Sequence, residues 1–249
     1  MGLSHSPSIV TDNLALCLDA ANIRSYPGSG STWYDISGNG RNFILRNPSY
    51  YSFSSNNAGY IDLHRYTPPA SETGGYANYT GTGDLTSANY LLNDHSTEIW
   101  VNIDDVNPTN ADSTETYSAL FVYRGYHSMF YYNDSSMRYT IWSNSPISSQ
   151  TIAHDAPDQG VWIHYMATRD GNLLTMYKNG ESVVSDTIST PNPLYSVSSE
   201  ILIGRASTHG STYTWPADFK VASARMYKKA LTADEVRRNY LATKSRFNL

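Results

Sequence analysis

The sequence predicts an all-β fold, a sandwich of two antiparallel sheets with one short C-terminal helix. Three observations carry this reading. Short runs of alternating apolar and polar residues, separated by clusters of Gly, Pro, Asn, Asp and Ser, recur from one end of the chain to the other. The stretch VWIHYMATRDGNLLTMYKNGESV, Val161 to Val183, reads as three strands and two tight turns. Its Asp170-Gly171 and Asn179-Gly180 pairs tolerate the positive φ angles of a type I′ hairpin. A single helical signature, LTADEVRRNYLATKSRF, stands near the C-terminus.

Strands are expected, in order, at residues 14–19, 42–46, 49–53, 59–63, 97–103, 119–124, 128–132, 138–143, 161–169, 173–178, 182–188, 201–204 and 220–227. The first, LALCLD, is a nearly continuous apolar run in which Cys17 serves as a small buried thiol. Residues 66–94 are rich in Gly, Ser and Thr and read as a long polar surface loop. In STEIWVNI, Thr97, Ile99, Val101 and Ile103 share one face, while Glu98, Trp100 and Asn102 share the other. The same alternation sets Ile163, Tyr165 and Ala167 against Trp162, His164 and Met166. Both faces carry large side chains, so one outer face is expected to be partly covered. The helix starts at Thr232 as N-cap, with Glu235 completing a capping box. Ala233, Val236 and Tyr240 form a narrow apolar stripe that is expected to close one end of the sandwich.

At 249 residues the chain is expected to form a single domain over 1–249, with an N-terminal arm at 1–12 and the helix and tail at 231–249. Only 16% of residues are charged, while tyrosine occurs 21 times. That mixture suits half-buried strands better than helices. A net charge of −5 without a basic run argues against nucleic-acid binding. One cysteine excludes an intrachain disulfide. The opening residues show no secretory leader, and no stretch approaches the roughly 20 apolar residues of a membrane-spanning helix.

Four segments together resemble the laminin-G-like branch of the concanavalin A-like jelly rolls. They are LALCLDAANIRSYPGSGSTWYDISGNGRNF from Leu14, TEIWVNIDD from Thr97, WIHYMATRDGNLLTMYKNGES from Trp162, and ILIGRAS with FKVASARMYKKALTADEV from Ile201 onwards. The likeness spans about residues 10 to 245. It implies a jelly-roll sandwich. The opening SPSIVTDNLALCLDAANIRSYPGSGSTWYDISGNG also resembles virion structural proteins of tailed bacteriophages. That resemblance implies a non-enzymatic capsid decoration, fibre or tail component. Such a protein would be assembled in the host cytoplasm, held by other virion proteins, and would expose an adhesion domain. A carbohydrate-binding lectin module is the alternative, with host surface glycans as partners. A glycoside hydrolase is a distant third. The family's closing strand carries an acidic residue where this chain reads FKVASARMYKKAL, and functions that need it are not expected.

Glucanases on this fold need two carboxylates about 5–5.5 Å apart on a cleft face. TEIWVNIDD offers only Glu98 on the strand, with Asp104 and Asp105 at its end, so no catalytic residue is assigned. The seven histidines show no zinc spacing, and His164 reads as a satisfied strand residue. No cofactor is expected. Calcium is a candidate ligand through Asp104, Asp105 and Asp112, although the loop lacks the D-x-D-x-D-G pattern.

The densest recognition signal is FVYRGYHSMFYYNDSSMRYTIW, Phe121 to Trp142. Tyr123, Tyr126, His127, Tyr131, Tyr132 and Trp142 are its candidate carbohydrate- or partner-binding residues, because aromatic rings stack on sugars and also suit protein interfaces. The competing reading is that these rings, with Tyr139, fill the core. Leu120, Val122 and Ile141 are expected inside, and Tyr126, His127 and Tyr132 near turns. So many tyrosines on a weakly charged sandwich also imply amphipathic surface, hence a homo-oligomer.

Overall fold

The computed structural model describes residues 7–56, 59–65, 74–81, 85, 90, 93–106, 117–123, 128–144, 147–188, 200–206 and 217–249. For residues 128–129, 142–144 and 147–149 only the backbone is described. Among these residues, two eight-stranded antiparallel sheets enclose the core. The first sheet runs β14 (Glu181–Thr187), β13 (Leu173–Lys178), β12 (Trp162–Asp170), β7 (His95–Ile103), β16 (Phe219–Tyr227), β5 (Tyr60–Leu63) and β4 (Tyr51–Ser54). β1 (Leu14–Asp19) also pairs with β16. The long β16 carries β7 on one side. On the other side residues 219–221 hold β5 and residues 223–227 hold β1. The second sheet runs β11 (Ile147–Asp155), β10 (Ser136–Asn144), β9 (Ser128–Tyr132), β8 (Ser118–Tyr123), β15 (Ile201–Ile203), β6 (Tyr76–Tyr79), β3 (Phe43–Arg46) and β2 (Thr32–Trp33). Neighbours distant in sequence, such as β7 beside β16 and β8 beside β15, are the crossovers of a jelly roll.

Period-two alternation builds the core. Ile99, Val101 and Ile103 of β7 and Ile163, Tyr165 and Ala167 of β12 point inward. They meet Phe121, Phe130, Tyr139 and Ile203 from the second sheet. The Phe130 and Tyr139 rings tilt against each other at 4.8 Å, and Phe130 reaches Tyr165 across the sandwich at 6.4 Å.

The Asp-x-Ser-Gly-Asn-Gly segment is a staple on β1. Asp35 Oδ1 accepts from the backbone N–H groups of Cys17 and Ser37, both at 2.9 Å. Its Oδ2 accepts from Ser37 Oγ at 2.8 Å and from the Arg41 backbone at 3.0 Å. Asn39 and Arg41 donate back to the Ala15 carbonyl.

Several expectations are corrected. β2, β6 and β11 were not legible as strands, and β6 lies inside the segment read as a loop. The Asn179-Gly180 turn has positive φ at both central residues, as type I′ requires. The first hairpin turns instead on Gly171-Asn172, with positive φ only at Gly171, the pattern of type II′. The helix α1 (Ala233–Thr243) has its capping box, but it lies across the outer face of the first sheet rather than at one end. The N-terminal arm is docked onto it: Asn239 Oδ1 accepts from the Val10 N–H at 2.8 Å, and Arg238 donates to the Ser8 carbonyl at 2.7 Å.

Candidate functional site

The two outer faces of the sandwich differ. The outer face of the first sheet is roofed by α1 and the tail behind it. Trp100 Nε1 donates to Thr243 Oγ1 at 2.9 Å, and the Trp100 ring stacks on Phe247 at 4.0 Å and on Tyr240 at 5.9 Å. Under this roof lies Glu98, fully buried. It is ion-paired with the buried Arg225, and its Oε2 accepts from Asn239 Nδ2 at 2.8 Å. His164 Nε2 lies 3.2 Å from Glu98 Oε1. Burial alone would raise the Glu98 pKa; the Arg225 guanidinium, then His164 and Asn239, outweigh it and hold the carboxyl at about 2. Such a carboxylate neither meets a substrate nor holds a proton to donate at neutral pH.

The carboxylates named for calcium are already engaged. Asp104 is ion-paired with Lys220, and Asp105 with Arg65. Asp112 lies outside the described residues. Among the described residues, no group of three acidic, His or Cys side chains is placed to hold a metal.

The outer face of the second sheet is different in kind. β9 and β10 pair Tyr131 with Arg138, and both project outward from the register. The Arg138 guanidinium lies 5.0 Å from the Tyr117 ring centroid and 6.0 Å from that of Tyr131. These two rings meet edge to face at 5.1 Å. Arg138 Nε donates to Ser136 Oγ at 2.8 Å, and Nη1 donates to Tyr117 Oη at 2.8 Å. No carboxylate among the described residues pairs with this guanidinium. Thr140 Oγ1 bonds Tyr131 Oη at 3.1 Å and Thr151 Oγ1 at 2.8 Å. Tyr131 and Thr140 form the floor of the patch, and Tyr117, Arg138 and Thr151 its accessible surface. An aromatic ring, a positioned guanidinium and a hydroxyl are the groups that fix a polyhydroxylated ligand.

Only part of the predicted set reaches this patch. Tyr131 is its floor. Tyr123 and Tyr132 point into the core, so they are corrected to packing residues; burial pushes the Tyr132 phenol pKa up, and its hydroxyl donates to the Asp105 carbonyl at 3.0 Å. Tyr139 is a core residue too, as the competing reading expects. Leu120 and Ile141 are inside, whereas Val122 belongs to the outward cluster with Ala119, Leu202 and Ala206. Tyr126 and His127 lie outside the described residues. Trp142 pairs with Ser149 in β10, but its side chain lies outside them. Arg138 was missed. Its signal was parity: in MRYTIW, Arg138 and Thr140 alternate with the inward Tyr139 and Ile141.

Comparison with known proteins places the fold. A search of curated proteins returned no match. Solved structures similar to this chain include botulinum neurotoxin type C, described for cell entry dependent on two ganglioside molecules, at 14% identity and TM-score 0.69. The botulinum neurotoxin DC binding domain in complex with rat synaptotagmin II is 14% identical with TM-score 0.69, and the same domain in complex with SialylT is 12% identical with TM-score 0.68. These matches cover 93%, 94% and 93% of this chain but only 52% of each neighbour, so the chain spans about half the length of those proteins. At this identity the likeness establishes the fold. The family model for the concanavalin A-like lectin/glucanase superfamily, in its laminin-G form, matches residues 73–237. With that match over most of its length and both jelly-roll sheets in place, the chain belongs to the concanavalin A-like lectin/glucanase superfamily.

Proposed function

We propose that this chain is a non-enzymatic recognition domain that binds carbohydrate on the outer face of its second sheet. The observation that carries the reading is the Tyr117–Tyr131–Arg138 cluster, an aromatic and cationic patch on the sheet face that α1 leaves uncovered. The lectin side of the superfamily supports it, as do the ganglioside and SialylT ligands named for structurally similar proteins. The glucanase side draws no support from Glu98, which neutralises Arg225 beneath the helix.

The test is a glycan array probed with the purified chain and with Tyr117→Ser. Discrete binding that weakens about tenfold or more in the variant is expected, since removing one stacking ring costs roughly 1–3 kcal/mol at comparable aromatic platforms. Absence of binding to any glycan would end this reading.

The proposed setting is a bacteriophage particle, where other virion proteins would hold the domain. Support comes from the opening segment and its Asp35 staple, which resemble virion structural proteins. Mass spectrometry of purified particles tests this; a chain absent from every particle fraction would contradict it. Tyrosine count gives oligomerisation no further support, because Tyr34 alone is exposed among the described tyrosines.

A further inference from the structure

We infer that the ligand is an extended acidic oligosaccharide, whose carboxylates are met by a row of arginines across the second sheet. This deepens the carbohydrate reading above and rests on it. Arg138 is the first of the row. A second pair repeats its construction: the Arg205 guanidinium lies 5.0 Å from the Tyr76 ring centroid. Nε of Arg205 is buried with no hydrogen-bond partner, and no carboxylate among the described residues pairs with this side chain. Tyr76 and Tyr117 both pack against one outward apolar cluster, Ala119, Val122, Tyr131, Leu202 and Ala206, so the two cation–aromatic pairs flank a common floor. Arg46 extends the row. It faces Tyr76 across the β3–β6 ladder and donates from Nε to Asn78 Oδ1 at 2.9 Å. Glu200, a carboxylate beside the row, accepts from Asn78 Nδ2 at 2.9 Å.

Three guanidiniums in a chain of net charge −5 are an uneven use of charge. Two of them, Arg138 and Arg205, are held over tyrosines without a carboxylate partner among the described residues. That preorganises them for an external anion, and a guanidinium fork matches a carboxylate bidentately. From β10 to β3 the row crosses five inter-strand steps, about 24 Å at roughly 4.8 Å each. That length fits a chain of sugars rather than one. A protein partner fits less well. Interfaces are anchored by exposed apolar and aromatic residues. Here the apolar floor is already buried, and among the described residues the exposed large hydrophobics Ile23, Tyr34, Val161, Leu173, Leu241 and Leu249 all lie outside this cluster. The net charge also argues against nucleic acid.

The experiment presents neutral oligosaccharides and carboxylated ones on one array, each acidic member beside its carboxyl-reduced form. Binding confined to carboxylated members of several residues, lost on reduction and falling with added salt, is expected. Arg138→Gln and Arg205→Gln should each weaken it about tenfold or more, with unchanged melting temperatures. The exposed Arg46→Gln should weaken it with no risk to the fold, and Arg24→Gln, which also removes one exposed positive charge, should not. Equal binding to the reduced forms would overturn the acidic inference and leave the carbohydrate reading standing. Binding to no glycan would overturn both. Capture of an acidic protein in place of every glycan would overturn both in favour of a protein interface.

Discussion

Glu98 shows at the residue scale how sequence and structure diverge. On the strand it looks like the one acidic residue available for chemistry. In three dimensions it is the counter-charge of Arg225 and the anchor of Asn239 on α1. Glu98→Gln leaves a buried guanidinium without its partner and should cost about 3–5 kcal/mol in urea unfolding. The unmodified chain should release no reducing sugar from β-glucans. His95 makes a second prediction. Burial, ahead of its other influences, lowers its pKa to about 4, and its ring nitrogens meet the Asn93 carbonyl at 2.9 Å and Tyr139 Oη at 3.0 Å. The folded state therefore holds this imidazole neutral, while the unfolded chain protonates it near pH 6.5. Its stabilisation is complete above that value and is lost as pH falls from about 6.5 towards 4. The Glu98 contribution is lost lower, as pH falls from about 4.5 towards 2. Thermal unfolding followed from pH 7 to 4 should show a decline that His95→Gln flattens; an unchanged slope would contradict the assignment. The sequence indicated that an outer face is partly covered but not by what, because alternation tells which residues share a face and nothing about the element that lies over it.

At the element scale, local chemistry was legible and long-range pairing less so. The capping box of α1 and the Asn179-Gly180 turn follow from neighbours in the chain, and both stand as expected. Thr232 Oγ1 accepts from the Glu235 N–H at 3.3 Å, and Glu235 Oε2 accepts from the Thr232 N–H at 3.0 Å. Thr232→Ala should lower stability by about 0.5–2 kcal/mol. A helix that only docked a partner would lose attachment with no change in melting. Gly180 has φ +83, and an added Cβ would come within 3.0 Å of the Tyr240 ring. Gly180→Ala should therefore cost more than about 1 kcal/mol, through the turn and the helix seat together. What escaped the sequence has physical reasons. β11, ISSQTIAHD, is an edge strand with little apolar signal, and β6, YANY, sits among Gly, Ser and Thr. β6 is held by pairing to the distant β3 and β15, which no local pattern records. β11 pairs with its sequence neighbour β10 and escaped because its residues carry too few alternating apolar side chains.

Across the whole molecule, the outer face of the first sheet is roofed by α1, and among the described residues no helix covers that of the second. The covering of the first sheet explains why both faces of β7 and β12 carry large side chains. The second sheet lacks that helix and carries its arginines over tyrosines instead. The sandwich, its two antiparallel sheets and the terminal helix were legible because hydrophobic alternation and turn residues are repeated along the chain. The site was legible only through Tyr131. Aromatic density marked the right region, but the inward half of those rings, Tyr123, Tyr132 and Tyr139, builds the core. The partner of Tyr131 is a guanidinium that composition gave no reason to single out. The measurement closest to the central claim is a crystal structure of the chain with an oligosaccharide that binds it on the array. Sugar seated over Tyr117, Arg138 and Thr151 on the outer face of the second sheet is the predicted result. Sugar bound elsewhere, with that face bare, would contradict it.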